Sequence, residues 1–245
     1  MTFIAQVEVQ SLKEACEKRL QEAILSGEFS IGTRLPSERD LAKKLGVSRP
    51  VLHEAIVALG AKGLVKIEAR RGVFVSDYRR ESSIALLNTL LEYEEGDFNP
   101  VLFKSLIAGR LLIERETARL AAQRATRSEK EGLQALLEEG KRAAEQDAYH
   151  LMQYDFKFHL EVALLSGNQM YPMILNSLRG VHHNLAGRFY RAIFKTSTVQ
   201  TVLDYHQALV EAIAKGDAQQ AAATMDDMLR HGEEQIIRIV FDDEK

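Results

Sequence analysis

The chain has 245 residues, of which 32 are Lys or Arg, 35 are Asp or Glu and one is cysteine, Cys16. This length allows one large or two modest domains, and 46% apolar with 27% charged residues is an ordinary composition for a soluble protein. The lone cysteine excludes an internal disulfide and favours a reducing, cytoplasmic location, and no apolar run approaches the roughly 20 residues of a membrane span.

The charge is divided unevenly along the chain. Residues 1–78 carry 12 Lys and Arg against 10 Asp and Glu, a net charge of +2. The remaining 167 residues carry 20 against 25, a net charge of −5. A mildly basic first part permits a nucleic-acid-binding module fused to an acidic second part, although the charge alone does not prove it.

Three short helices and a hairpin are predicted in the first part of the chain. Capping serines and terminating glycines set the helix limits near 12–27, 37–46 and 48–63. The segment LVKIEARRGVFVS then alternates as two short strands around a tip at Arg71 and Gly72. This order is typical of a winged helix-turn-helix DNA-binding domain, which we predict for residues 1–78.

The rest of the chain reads almost entirely as helix. Residues 79–98 are predicted to be a linker with a connecting helix, and residues 99–245 an all-helical domain. Ser128 and Glu131 form a candidate capping box. The predicted helices are 83–93, 99–125, 128–146, 148–166, 169–194, 198–215 and 218–241. The fold class is therefore mainly α, a winged helix-turn-helix followed by an all-α antiparallel helical bundle.

The third helix is built for burial along its side, yet it begins with Ser48, Arg49 and Pro50. In a winged helix-turn-helix this first turn enters the major groove, where a hydroxyl can serve a phosphate and an arginine a guanine edge or phosphate. His53 lies one turn further on the same outward face. At the wing tip, Arg71 suits a narrow groove, and Gly72 lets the backbone approach it.

This first part also resembles the DNA-binding domain of GntR-family bacterial regulators. The likeness covers GTRLPSERDLAKKLGVSRPVLHEAIVALGAKGLVKIEARRGVFV, and its P-S-E-R, V-S-R and R-G-x-F-V motifs are specific. Many family members have arginine where this chain has His53, and a neutral histidine there would weaken that contact. The resemblance implies DNA contacts by Arg39, Ser48, Arg49, Arg71 and Gly72.

In the helical part, polar residues stand on apolar helix faces. At about 100° per residue, Asp155 and His159 share one face with Phe158, and His206 stands at the centre of a later apolar stripe. Burying such groups without partners costs several kcal/mol. Three accounts remain open: a divalent metal site for zinc or nickel formed by Asp155, His159 and His206, a ligand cavity without metal, or a buried ion-pair network.

Two further polar residues raise the same question. Arg110 lies among apolar residues and can pair with Glu114 one turn on. His182 shares a stripe with Leu178 and Leu185, where an ordinary core histidine remains the simpler interpretation. Both residues are candidate effector contacts.

The helical part resembles the FCD effector domain of the FadR subfamily. The likeness is carried by GRLLIERETARLAAQRAT, YDFKFHLEVALLSGN and YHQALVEAIAKGDAQQAAATM. That group commonly holds a metal with one Asp and three His and binds small organic acids beside it. The resemblance therefore implies Asp155, His159 and His206 as three ligands, with Met228, a soft and weak ligand, where the family usually has the fourth histidine.

A second likeness favours a different effector. SGNQMYPMILNSLRGVHHNLAGRFY resembles the members of this group that respond to long-chain acyl-CoA and lack the metal set. Small carboxylate and acyl-CoA effectors are therefore both expected candidates, the former slightly ahead.

Together these features predict a transcription regulator of metabolic genes. A homodimer would place two recognition helices on a palindromic DNA operator, and effector binding would change operator affinity, with release of a repressor the commoner expectation. A metal-dependent enzyme using Asp155, His159 and His206 is the rival from another class, but no acid or base is well placed for it. A protein-binding adaptor is a third possibility.

Overall fold

The computed structural model describes residues 11–81 and 100–241. These fall into two compact units, one within residues 1–93 and the other within residues 94–245. The helix predicted at 83–93, with most of the predicted linker, lies outside the described residues. Within the described ranges, none of the helices combines the length and apolar character that crossing a membrane requires.

The first unit is a winged helix-turn-helix, as predicted. Its strands pair antiparallel, with Val65 opposite Val75 and Glu68 opposite Gly72. Buried Leu52, Ile56 and Leu59 of the third helix form the centre of its core. In chain order the elements are α1 (Leu12–Leu25), α2 (Glu38–Leu45), α3 (Arg49–Ala61), β1 (Val65–Glu68), β2 (Gly72–Val75) and α4 (Tyr78–Glu81).

Local chemistry explains where these helices start and stop. Ser37 accepts a hydrogen bond from the backbone N–H of Asp40 at the start of α2, and Gly46 ends that helix in the left-handed region at φ 68°. Ser48 occupies the N-cap position of α3, but its hydroxyl makes no capping bond within the described structure. Pro50 is accommodated because first-turn N–H groups have no intrahelical partner.

The second unit is the predicted helical bundle. Two long helices, α5 and α11, pack along one another, and α7 packs against α5, α6 and α9. The elements are α5 (Pro100–Arg124), α6 (Arg127–Gln146), α7 (Ala148–Leu165), α8 (Met170–Ser177), α9 (Arg179–Ile193), α10 (Ser197–Lys215) and α11 (Ala218–Phe241).

Two predictions in the bundle are wrong in detail. The single helix expected at 169–194 is divided at Leu178, whose φ of −98° and ψ of 9° leave the helical region. Just before this break, the Ser177 hydroxyl donates to the Ile174 carbonyl oxygen, a local bond that competes with the helical ladder. The capping box before α6 is formed by Thr126 and Glu129 rather than by Ser128.

Candidate functional site

The exposed end of α3 lies next to its buried flank. Ser48, Arg49 and His53 are exposed, whereas Leu52 is fully buried. Nδ1 of His53 lies 3.1 Å from Oε1 of Glu38, so the histidine is held against α2. The first turn of α3 is thus exposed, while its side packs into the core.

Arg39 and the wing supply further exposed cations. The Arg39 side chain is 81% exposed on α2, and that of Arg71 is 72% exposed at the wing, where it pairs with Glu68. Gly72 adopts a φ of 113°, and a Cβ atom there would lie 2.6 Å from Nε of Arg34. The backbone conformation therefore favours glycine, and any side chain there would also have to displace the Arg34 side chain.

In the bundle, α7 and α10 bring the three predicted metal ligands together. Asp155, His159 and His206 are buried, and one ligand atom from each lies within 4.8 Å of the others. Oδ1 of Asp155 is 3.9 Å from Nε2 of His159 and 3.6 Å from Nε2 of His206. Donor atoms about 2.1 Å from a tetrahedral zinc ion would stand roughly 3.4 Å apart, close to these separations.

The state of His206 supports a fit to a metal ion. Its side chain is fully buried, and neither ring nitrogen has a hydrogen-bond partner among the described residues. Burial lowers the pKa of His206 to about 3, so the ring is neutral near pH 7 and keeps a lone pair for a ligand bond. Its ring stacks on Phe158 with centroids 4.0 Å apart, which holds its orientation. The three residues therefore suit zinc or nickel.

Asp155 also has two partners on α9. Tyr190 donates a 2.7 Å hydrogen bond to Oδ1, and Nε2 of His182 lies 2.9 Å from Oδ2. Burial alone would raise the pKa of Asp155, but the hydrogen bond from His182 and the neighbouring imidazoles hold it well below its usual range. Asp155 is therefore a carboxylate at neutral pH.

A second buried carboxylate lies on α5. Glu114 is fully buried and directly contacts both Nε of Arg110 and Nδ1 of His159. Burial would raise its pKa, but the charge of Arg110 and the contact with His159 lower it to about 2. Burial would lower the pKa of Arg110, but the negative charges of Glu114 and Asp155 outweigh it and raise that pKa.

A small cavity of about 90 Å³ lies beside this cluster. Arg110, Asp155, His159 and His182 contribute polar groups to its wall. Most of the remaining wall is apolar and comes from α5, α8, α9 and α11, including Leu106, Leu175, Leu178, Val181, Phe189 and Ile236. Its shape and chemistry suit a small molecule with an acidic group and a short apolar part.

Comparisons with known proteins agree with both units. Residues 12–75 match the family of bacterial regulatory proteins called gntR, and residues 105–231 match the FCD domain. The HTH-type transcriptional regulator Mce2R of Mycobacterium tuberculosis is 31% identical over 222 residues, covering 90% of this chain and 89% of that protein. This chain belongs to the GntR family.

Two other known proteins are similar to this chain over most of its length. The fatty acid metabolism regulator protein of Shewanella frigidimarina is 29% identical over 174 residues, 71% of this chain and 70% of that one. The structure of Lar, which controls expression of the Listeria monocytogenes agr system, matches the fold with a TM-score of 0.57 and 19% identity. That alignment covers 95% of this chain and 100% of Lar.

The two family matches and the Mce2R similarity together identify the function class of this chain. It is a DNA-binding transcription regulator with an FCD effector domain, not an enzyme.

The GntR structure also places residues that the sequence interpretation had not assigned. His231 lines the cavity, as does Met228, the residue at the position of the family's fourth ligand. Tyr190 follows His182 by eight residues on α9, a spacing that could have indicated a shared face. No sequence pattern indicated that Arg34 lies near Gly72, because only the folded structure brings these two residues together.

Proposed function

We propose that this GntR regulator belongs to the FadR subfamily and controls metabolic genes as an effector-responsive homodimer in the cytoplasm. Two-fold protein symmetry places two recognition helices on the two halves of a palindromic operator. Arg39, Ser48, Arg49, His53 and the Arg71–Gly72 wing contact the DNA. Effector binding lowers operator affinity, so the protein acts as a repressor.

The effector is a small carboxylate metabolite bound next to a divalent ion. The observation that carries this proposal is the cluster of Asp155, His159 and His206, two of which, Asp155 and His159, line the same cavity as Arg110. When bound there, zinc or nickel supplies positive charge and open coordination positions for a carboxylate oxygen. Arg110 and His182 orient the effector from the cavity wall.

Cavity size favours this effector over a long-chain acyl-CoA. An engineered cavity of about 150 Å³ holds benzene in an otherwise dry core, and this one has about 90 Å³. A short acid needs little widening, whereas an acyl chain would have to separate the apolar walls. Fatty acyl-CoA without metal remains the second candidate because the wall is largely apolar and a fatty acid metabolism regulator is among the similar proteins.

Melting temperature provides the first test, since a ligand that binds only the folded state raises it. We expect short carboxylates to stabilise the zinc- or nickel-loaded protein and to weaken its retardation of DNA from beside its own gene. Elemental analysis should find metal in the wild type and none in Asp155→Ala. Stabilisation by long-chain acyl-CoA alone, with no metal in either protein, would support the second candidate instead.

A further inference from the structure

The Glu114 side chain joins two parts of the candidate site from the opposite side of His159. One of its oxygens contacts Nδ1 of His159 on α7, and the other contacts Nε of Arg110 one turn earlier on α5. The carboxylate is fully buried, and the Arg110 side chain is 23% exposed. Arg110 therefore has two positions in the site: it lines the cavity, and it contacts the Glu114 carboxylate, which in turn contacts His159.

The two ring nitrogens of His159 face different partners. Nδ1 faces Glu114, whereas Nε2 faces Asp155 and lies 3.9 Å from its Oδ1. A neutral imidazole carries one proton, and an ionised carboxylate can only accept a hydrogen bond. The lowest-energy arrangement therefore places the proton on Nδ1 toward Glu114 and leaves the lone pair of Nε2 directed at the ligand cluster.

We propose that Glu114 is a positioning residue that holds His159 in its Nδ1–H tautomer, with Arg110 keeping the carboxylate in place. The tautomer is independent of metal, but its consequence for metal affinity rests on the function proposed above. Carboxylates in this outer position typically strengthen metal binding by 10- to 100-fold because they orient the ring and raise its basicity.

His206 provides an internal contrast. Among the described residues no carboxylate contacts its Nδ1, unlike that of His159, and its ring is oriented by stacking on Phe158. Loss of Glu114 should therefore change the tautomer of His159 and leave that of His206 unchanged. A general loosening of the bundle would disturb both rings.

Histidine tautomers can be measured directly in the metal-free protein by long-range ¹H–¹⁵N correlation at pH 8. We expect Nδ1–H for His159 in the wild type and a mixture or Nε2–H in Glu114→Gln. The matched control is Glu116→Gln on the same helix, which removes a partly exposed pair with Arg119 and should change neither histidine. Glu114→Asp keeps the negative charge on a shorter side chain, so its fraction of Nδ1–H His159 should lie between those of the wild type and Glu114→Gln.

Zinc affinity, measured by chelator competition, is the second readout. We expect a 10- to 100-fold loss in Glu114→Gln and none in Glu116→Gln. Wild-type His159 in the Nε2–H form, or an unchanged tautomer in a folded Glu114→Gln, would overturn the proposal even if zinc binds tightly. The expected tautomers in a wild type that binds no metal would uphold the positioning role and refute the metal-dependent function.

Discussion

Tyr190 donates a 2.7 Å hydrogen bond to the same Asp155 oxygen that lies 3.6 Å from Nε2 of His206. This phenol is fully buried, and its pKa is raised by burial and by the neighbouring Asp155 charge, so it stays a donor at any ordinary pH. Tyr190→Phe keeps the ring but removes the donor. We expect the free energy of unfolding to fall by about 2 kcal/mol, as for a lost hydrogen bond to a buried charge.

Urea unfolding at pH 7 measures this loss, with Tyr149→Phe as control because that ring is 62% exposed. An unchanged stability would mean that another group satisfies Asp155.

Glu114 makes the stability of the bundle depend on acid. Its pKa is about 2 in the folded protein, chiefly because Arg110 and His159 outweigh burial, whereas an unfolded glutamate titrates near 4.3. A lowered folded pKa adds stability above the unfolded value, and this is lost as pH falls from about 4.3 to 2. The contribution is on the order of 3 kcal/mol.

Denaturant titrations between pH 7 and 2 test this linkage. Glu114→Gln should flatten the pH dependence below pH 5 and lower stability at pH 7, where the charged partners lose their counter-charge. Glu116→Gln should follow the wild-type curve. A Glu114→Gln curve parallel to the wild type would contradict the assignment.

Gly140 on α6 leaves the space that the Tyr154 ring occupies. A Cβ atom at this position would lie 2.4 Å from Cζ of Tyr154, a separation that requires the ring or the helix to move. We expect Gly140→Ala to lower the free energy of unfolding by about 1–3 kcal/mol, as in an overpacked core.

Gly132, on the same helix, is the matched control. No described atom outside its own helical surroundings lies within 4 Å of a Cβ built there, so Gly132→Ala should raise stability by about 0.5–1 kcal/mol through helix propensity. Chemical unfolding measures whether each variant has a lower or a higher free energy of unfolding than the wild type. Equal changes in the free energy of unfolding at the two positions would show that the Tyr154 ring moves away from the added methyl group without loss of stability.

Local sequence chemistry predicts the fold well where each signal has one interpretation. The glycine after α2 ends that helix, and helical phase alone places Asp155 above His159 and directs His206 inward. The start of α6 has two interpretations, because Thr126–Glu129 and Ser128–Glu131 both satisfy the capping-box spacing. Only the packed structure selects the first.

The partners of the site residues were less predictable because they depend on packing between helices. Glu114 was expected to pair with Arg110 within α5, but its contact with His159 requires α5 and α7 to lie side by side. The bond from Tyr190 to Asp155 likewise depends on α9 being a separate helix after the break at Leu178. The effector role of His182 stays a prediction, although the structure pairs it with Asp155.

A substitution of Gly72 tests whether the wing requires glycine at this position. Its φ of 113° is strained for any side chain, and a Cβ would also meet Arg34 at 2.6 Å. Gly72→Ala should lower stability by about 1–3 kcal/mol and weaken operator binding as the wing shifts. Gly32→Ala is the control, because its φ is 78° but none of the described atoms crowds a Cβ there. A larger stability loss at Gly32 would contradict the role assigned to Arg34.

His53 offers a substitution that should strengthen DNA binding. The residue is exposed on α3 and its ring lies against Glu38, whereas an arginine there would carry a permanent positive charge that attracts phosphate. His53→Arg should raise operator affinity and steepen the slope of log affinity against log salt by about 1, because one more phosphate is neutralised. Gel retardation across a salt series measures both quantities. Arg49→Ala should show the reverse, and Arg127→Ala in the bundle should change neither. If His53→Arg left the salt slope unchanged, this face of α3 would not contact phosphate, and the placement of the recognition helix would have to be revised.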